Sequence, residues 1–245
     1  MASLSESCTA EPSDVHRLVI VEGIMGSGKS TTMRFIAKHL QEAARPALDI
    51  HERTEPHPVR ATAELEHWFE PWRDTTPEGL ADRALAKWTG FVEYTQSSTD
   101  IPVLDGQLFH GDLTHLLLME ADTALIWGLQ PEAGNSHRSA ESVRCLPLAG
   151  RCRRSHQNGL RRARSRMDRY HVNWKLAAPY CVRRGFVGLD GLISLYCDYR
   201  HFTDGLFQEL PLAKLAIESS GRDWPTYENR ILRKLRLPTG KGRGQ

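Results

Sequence analysis

Residues 18–31 read Leu18-Val19-Ile20-Val21-Glu22-Gly23-Ile24-Met25-Gly26-Ser27-Gly28-Lys29-Ser30-Thr31. An apolar run rich in β-branched residues opens the stretch, a glycine cluster follows, and Met33, Ile36, Ala37 and Leu40 then recur at helical spacing. The order is strand, loop, helix. Inside it, Gly23 to Ser30 fit G-x-x-x-x-G-K-S, the pattern of a phosphate-binding loop. Glycines let backbone N–H groups point inward at a polyphosphate, and the helix that follows presents its positive end. Lys29 is placed to reach the outer phosphates, and Ser30 to ligate Mg²⁺. The bare pattern arises by chance, but its strand and helix flanks make a nucleotide site the expected reading. Its residues are Gly23, Gly26, Ser27, Gly28, Lys29, Ser30 and Thr31.

Outward from this loop, Pro46 closes the first helix because proline cannot continue it. Ala47–His51 reads as a second strand running into the loop 52–58. Residues 62–70 are expected to form a short helix. A longer one is expected over Pro77–Gln96, with Leu80, Ala84, Trp88 and Phe91 on one face and a Thr75-x-x-Glu78 capping box at its start. Ile101–Asp105 is a third buried strand, followed by a helix through Leu108, Leu116, Leu117 and Met119. Strands alternating with helices predict an α/β fold, a three-layer sandwich around a mostly parallel sheet of about five strands. The pattern fails for about forty residues after Trp127. It resumes near Tyr170, with a helix over 189–209, a last strand over 212–218 and a closing helix over 224–237.

The chain has 245 residues, 40% of them apolar, which is enough for one α/β domain with a substantial core. The reading divides it into a disordered tail at 1–14, one domain at 15–237 with an irregular insert at 128–169, and a flexible tail at 238–245. No apolar run is long enough to span a membrane, and the start shows no export signal, so the expected location is the cytoplasm. Five scattered cysteines without a C-x-x-C pair read as reduced thiols.

The net charge of +2 conceals an asymmetry. Residues 1–127 carry 10 basic and 20 acidic groups, whereas residues 128–186 carry 13 and 3. Within 128–169 there are ten Arg, no Lys and only six Val, Ile, Leu, Met or aromatic residues. The one strand candidate there, Val143–Leu148, is interrupted by Arg144 and Pro147. Two readings stand: a lid whose arginines close over phosphates, or a stretch translated in the wrong frame, which would also account for the missing strand and is favoured. The arginines alone could hold a polynucleotide, but the segment has little aromatic interleaving and no binding motif. A nucleic-acid partner is therefore not expected; the small-molecule phosphate acceptor expected in its place rests on the kinase resemblance given next.

With its V-x-x-E-G strand end, the stretch Val21–Thr31 resembles the opening of the thymidylate kinase and deoxynucleoside kinase branch of P-loop kinases. Asp105-Gly-Gln-Leu-Phe-His-Gly-Asp112 and Lys214-Leu-Ala-Ile-Glu-Ser-Ser220 are similar to segments of uncharacterised bacterial P-loop proteins. The resemblance covers 15–127 and 170–237. It implies a P-loop NTPase fold and phosphoryl transfer from ATP·Mg²⁺ to a nucleoside or nucleotide. It also implies that Glu52, at the end of the second strand, is the base toward the acceptor hydroxyl, with Glu55 as competitor. Asp105 would hold the Mg²⁺ shell through water, although the arginine that follows this acid in those kinases is replaced by Gly-Gln.

The acceptor would lie near His57, Arg60, Trp68, Trp72 and Arg73. The alternative for these residues is that Trp68 and Phe69 are core and the arginines solvated. The loop Ser219–Arg222 would lie beside the adenine. A P-loop ATPase or switch without a metabolite acceptor, or a kinase of another small hydroxylated compound, is the alternative function.

Overall fold

The computed structural model describes residues 17–24, 26–129, 143–149, 174–210 and 212–239, the stretch 143–149 through its backbone. Its core is a parallel sheet. Strand β1 (Leu18–Gly23) lies at the centre, flanked by β3 (Ile101–Asp105) and β4 (Val143–Ala149), with β2 (Ala47–Ile50) outside β3. Two short strands, β5 (Ala213–Lys214) and β6 (Ile217–Glu218), both pair with β4 and act as one interrupted fifth strand.

Successive residues of a strand face opposite sides, and here both sides are covered. Leu18 and Ile20 join a cluster on one face with α2 (Pro77–Ser97), α3 (Thr114–Leu118), α4 (Thr123–Gly128), α5 (Pro179–Arg183) and α6 (Gly188–Glu209). Val19 and Val21 join the other cluster, with Met33, Ile36 and Leu40 of α1 (Lys29–Glu42) and Ile231 and Leu232 of α7 (Trp224–Lys234). The chain is thus a three-layer α/β sandwich of the P-loop kind, as the alternation of strands and helices predicts.

Four local expectations need correction. Residues 62–70 form successive turns, not a helix: Leu65 N donates to Thr62 O and Glu70 N to His67 O, both three residues back. The His67 amide and ring are held by Asp74, which competes with helical bonding. The cap of α2 is Thr76, one residue later than expected; its Oγ1 accepts from Gly79 N at 3.2 Å, and Pro77 occupies the first turn. Leu108–Leu113 is a widened π-type turn before α3, with Asp112 N bonded five residues back to Gln107 O. Finally, the strand judged broken by Arg144 and Pro147 is present as β4, pairing with β1 from Leu18↔Val143 to Gly23↔Leu148. The interruption of the fifth strand, between Lys214 and Ile217, falls opposite Leu146 and Pro147. The sheet thus tolerates a residue with no N–H to give at the place where its neighbouring ladder is already broken.

The tail 1–14, residues 240–245 and most of 128–169 lie outside the described residues. The lid and wrong-frame readings therefore concern residues beyond this description, except that the missing strand no longer argues for the second. Cys181 is a free, buried thiol, as expected, whereas Cys197 is disulfide-bonded. Among the described residues no helix is long and apolar enough to cross a membrane.

Candidate active site

The phosphate-loop pattern lies between the end of β1 and the start of α1. Gly26 and Gly28 hold left-handed φ angles of 77° and 96°, which side-chain-bearing residues resist. Gly28 is doubly constrained, because a Cβ there would lie 2.5 Å from Cη2 of Trp224. Ser27 N donates to Ile24 O at 3.1 Å, closing the loop. Lys29 is buried and its Nζ donates to Ile24 O at 3.3 Å, so the ammonium is folded over the loop. The Ser27 hydroxyl is buried without a hydrogen-bond partner among the described residues, while Thr31 is exposed on the outer side of α1.

Asp105 ends β3 beside this loop. Its Oδ2 accepts from Ser30 Oγ at 2.5 Å and lies 3.5 Å from His51 Nε2; its Oδ1 is buried and has no hydrogen-bond partner among the described residues. A serine hydroxyl and a carboxylate with a spare oxygen are hard donors that suit Mg²⁺. No cluster of three or more His, Cys, Asp or Glu with metal-site geometry occurs among the described residues.

Glu22, fully buried behind the loop, explains the widened turn. Its Oε1 accepts from Leu108 N (2.8 Å) and Phe109 N (3.0 Å), and its Oε2 from His110 N (3.1 Å). One carboxylate thus satisfies three amides that the turn leaves free. Burial still pushes its pKa up to about 7, against the pull of those amides and of Lys29. Just before the turn, Gly106 and Gln107 have φ of 77° and 89°; for Gln107 that is a strained conformation, and its buried Oε1 has no hydrogen-bond partner among the described residues.

Next to Gln107 opens a cavity of about 150 Å³, bordered by Glu52, Arg60, Trp68, Phe69, His110, Asp112, His115, Trp174, Lys175 and Tyr196. The loop after β2 forms one wall. Arg60 pairs with Glu55, donates to the backbone oxygen of Glu52 and lies over Trp68, 5.2 Å from the ring centre. Glu55 is thereby committed to Arg60, and Glu52 borders the cavity. The opposite walls hold buried titratable groups. Burial raises Asp112 to about 7, although it accepts from Trp88 Nε1 at 2.9 Å; burial lowers His115 to about 3 and Lys175 to about 8. The floor is thus rich in groups whose charge the protein makes costly.

The structure brings Lys29, Ser30 and Asp105 together and sets Glu52 on the adjoining cavity. Of the residues expected near an acceptor, Arg60 and Trp68 border the cavity. His57 is buried and held neutral, its pKa lowered to about 4 by burial and Arg60; Trp72 packs on the core, and Arg73 pairs at the surface with Glu70. Sequence reasoning missed Asp112, His115, Trp174, Lys175 and Tyr196. Asp112 and His115 sit in a segment read as an ordinary helix, and Trp174 and Lys175 follow a stretch where periodicity had failed. A charged residue within the apolar neighbourhood of Trp174, Lys175 and Leu176 was the available signal. Trp224, the first residue of α7, packs on the loop glycine and was read only as a helix start.

No protein-family model and no curated protein sequence matches the chain. Among solved structures, it is similar to deoxyadenosine kinase from M. mycoides with bound dATP, at 15% identity and a TM-score of 0.48 over 89% of this chain and 99% of that one. The same kinase with bound dCTP is similar at 15% identity and a TM-score of 0.42, over 89% and 98% of the two chains. The YorR protein of Bacillus subtilis, in complex with phosphorylated GDP, is similar at 10% identity and a TM-score of 0.46, over 89% and 95%. At these values the likenesses assign no activity, and the function is argued from this chain's own residues.

Proposed function

We propose that the protein is an ATP-dependent phosphotransferase whose acceptor is a small molecule bound in the cavity bordered by Glu52 and Gln107, a nucleoside or nucleotide being the class that suits it best. The observation that carries this reading is the adjacency of two half-sites. A phosphate-binding loop with Lys29, Ser30 and Asp105 sits at the ends of β1 and β3, and a cavity bordered by a carboxylate and aromatic rings opens from the same edge of the sheet, where open α/β folds collect ligands.

In this account the loop amides and Lys29 hold the outer phosphates of ATP and stabilise charge on the group in transfer. Ser30 and Asp105 would hold Mg²⁺, which when bound neutralises part of the phosphate charge. Glu52 accepts the proton of the acceptor hydroxyl as the hydroxyl oxygen bonds to the γ-phosphorus and the bond from that phosphorus to the β,γ-bridging oxygen breaks, releasing ADP. Trp68 and Phe69, packed on each other, give the cavity an aromatic wall for a planar base, and Arg60, fixed by Glu55, holds the Glu52 backbone in place. Gly23, Gly26, Ser27, Gly28 and Thr31 complete the proposed loop.

Titration calorimetry with ATP in the presence of Mg²⁺ tests the donor half. Wild-type protein should bind and Lys29→Ala should lose at least tenfold in affinity. Absence of binding by the wild type at millimolar ATP would remove the nucleotide site and the reading with it.

A further inference from the structure

Lys175 is a cation that the described residues bury without an anion. Its side chain is 5% exposed, and among the described residues its ammonium makes no salt bridge. Its closest described partners are ring faces: Nζ lies 4.6 Å from the centre of Trp174 and 5.6 Å from that of Tyr196. Aromatic faces soften the desolvation of an ammonium but do not replace a counter-charge. The Glu52 carboxylate and the Lys29 ammonium are both close enough to act electrostatically on Lys175, from opposite directions in sign. Lys175 lines the cavity together with Glu52 and Gln107, and Gly106, next to Gln107, lies against the Lys29 side chain, where a Cβ would be 3.7 Å from Cε; the cavity wall that holds Lys175 thus adjoins the phosphate loop.

The other cation deep in the cavity wall, Arg60, is already committed to Glu55 and to a backbone oxygen. Lys175 and Arg60 both act on His115, which burial keeps neutral. Of the cations that line the cavity, Arg53 is exposed and Arg60 is paired, so Lys175 is the buried one that no carboxylate among the described residues holds, although Glu52 and Asp112 border the same space. Burial lowers the lysine's own pKa to about 8.

We infer that Lys175 is an anion-binding residue of the acceptor cavity, taking a phosphate oxyanion at the junction with the phosphate loop. This rests on the proposed phosphotransferase reading and narrows it. The oxyanion is either the acceptor's own phosphate, making the acceptor a nucleoside monophosphate, or the outer phosphate of ATP as it approaches the acceptor.

The test uses the full chain as wild type, Lys175→Met and Lys175→Arg. Calorimetry gives affinities for ATP·Mg²⁺, for the common nucleoside 5′-monophosphates and for the matching nucleosides. If the acceptor supplies the anion, a monophosphate binds wild type at least tenfold more tightly than its nucleoside. Lys175→Met then brings the two within about threefold, Lys175→Arg keeps the preference, and ATP affinity does not change. If ATP supplies it, Lys175→Met weakens ATP·Mg²⁺ at least tenfold and Lys175→Arg restores most of it.

Urea unfolding of ligand-free protein guards against a merely structural effect, since removing an unpaired buried charge should leave Lys175→Met as stable as wild type or more so. The inference is overturned if Lys175→Met leaves both the monophosphate preference and ATP affinity unchanged, if its ligand-free form is markedly destabilised, or if no monophosphate or nucleoside binds and ATP affinity is insensitive to residue 175. Failure of wild type to bind ATP at all would instead overturn the phosphotransferase reading.

Discussion

Replacing Glu22 by glutamine tests how the protein carries a buried charge behind its phosphate loop. The carboxyl moves from 4.5 to about 7 on folding, chiefly because it is fully buried. A raised acid means that the native state holds a proton which the unfolded chain has already released. The associated stability is complete below pH 4.5 and is lost as pH rises through about 7. At about 1.4 kcal/mol per pH unit, the loss amounts to about 3 kcal/mol. Glutamine keeps a carbonyl oxygen for the amides of Leu108 and Phe109 but turns an NH₂ group toward the amide of His110. That mismatch costs about 1–3 kcal/mol at every pH.

Glu22→Gln should therefore be less stable than wild type at pH 5 and should recover by about 3 kcal/mol relative to it by pH 8. Asp112 adds in the same direction, because it is raised to about 7 with Glu22 among the causes. His57 and His115, buried neutral, act oppositely but in both proteins, so they largely cancel in the difference. Urea unfolding of the two proteins at pH 5, 6, 7 and 8 gives this difference directly. Curves that stay parallel within about 0.5 kcal/mol over that range would refute the argument.

Two further substitutions probe the site. Gly28→Ala puts a Cβ 2.5 Å from the Trp224 indole on a residue with φ of 96°; it should cost roughly 1–2 kcal/mol for the backbone alone, plus the clash. Adding Trp224→Ala should return only the clash part, as read from thermal midpoints. Glu52→Gln keeps shape while removing basicity, so turnover should drop by a factor on the order of 10² or more with ATP affinity retained; unchanged turnover would shift the role to Asp105, since Glu55 is occupied by Arg60.

The parts of the fold visible in the sequence are those where one periodicity dominates. β1, α1 and β3 were legible because apolar runs and the glycine loop leave a single solution, and Ile101–Asp105 matches residue for residue. The turn at Leu108–Leu113 was not, because its geometry is set by Glu22, eighty-six residues earlier, whose carboxylate collects three amides. β4 was missed because a Pro and an Arg disfavour a strand locally, while pairing with β1 along its length outweighs that preference. At the site, Lys29, Ser30 and Asp105 could be read from a motif and a strand end. Lys175 could not, since only the fold shows that its ammonium lies among aromatic rings and not in solvent.

The central claim is that the γ-phosphate of ATP leaves for a small molecule. It is tested most directly by following the label of γ-³²P-ATP, with wild-type protein and Mg²⁺, in the presence of a panel of nucleosides, nucleoside monophosphates and other hydroxylated metabolites. The account predicts label in one acceptor, ADP formed in equal amount, and little label in inorganic phosphate when that acceptor is omitted. Label appearing only in inorganic phosphate, at a rate indifferent to every acceptor, would contradict it and identify an ATPase.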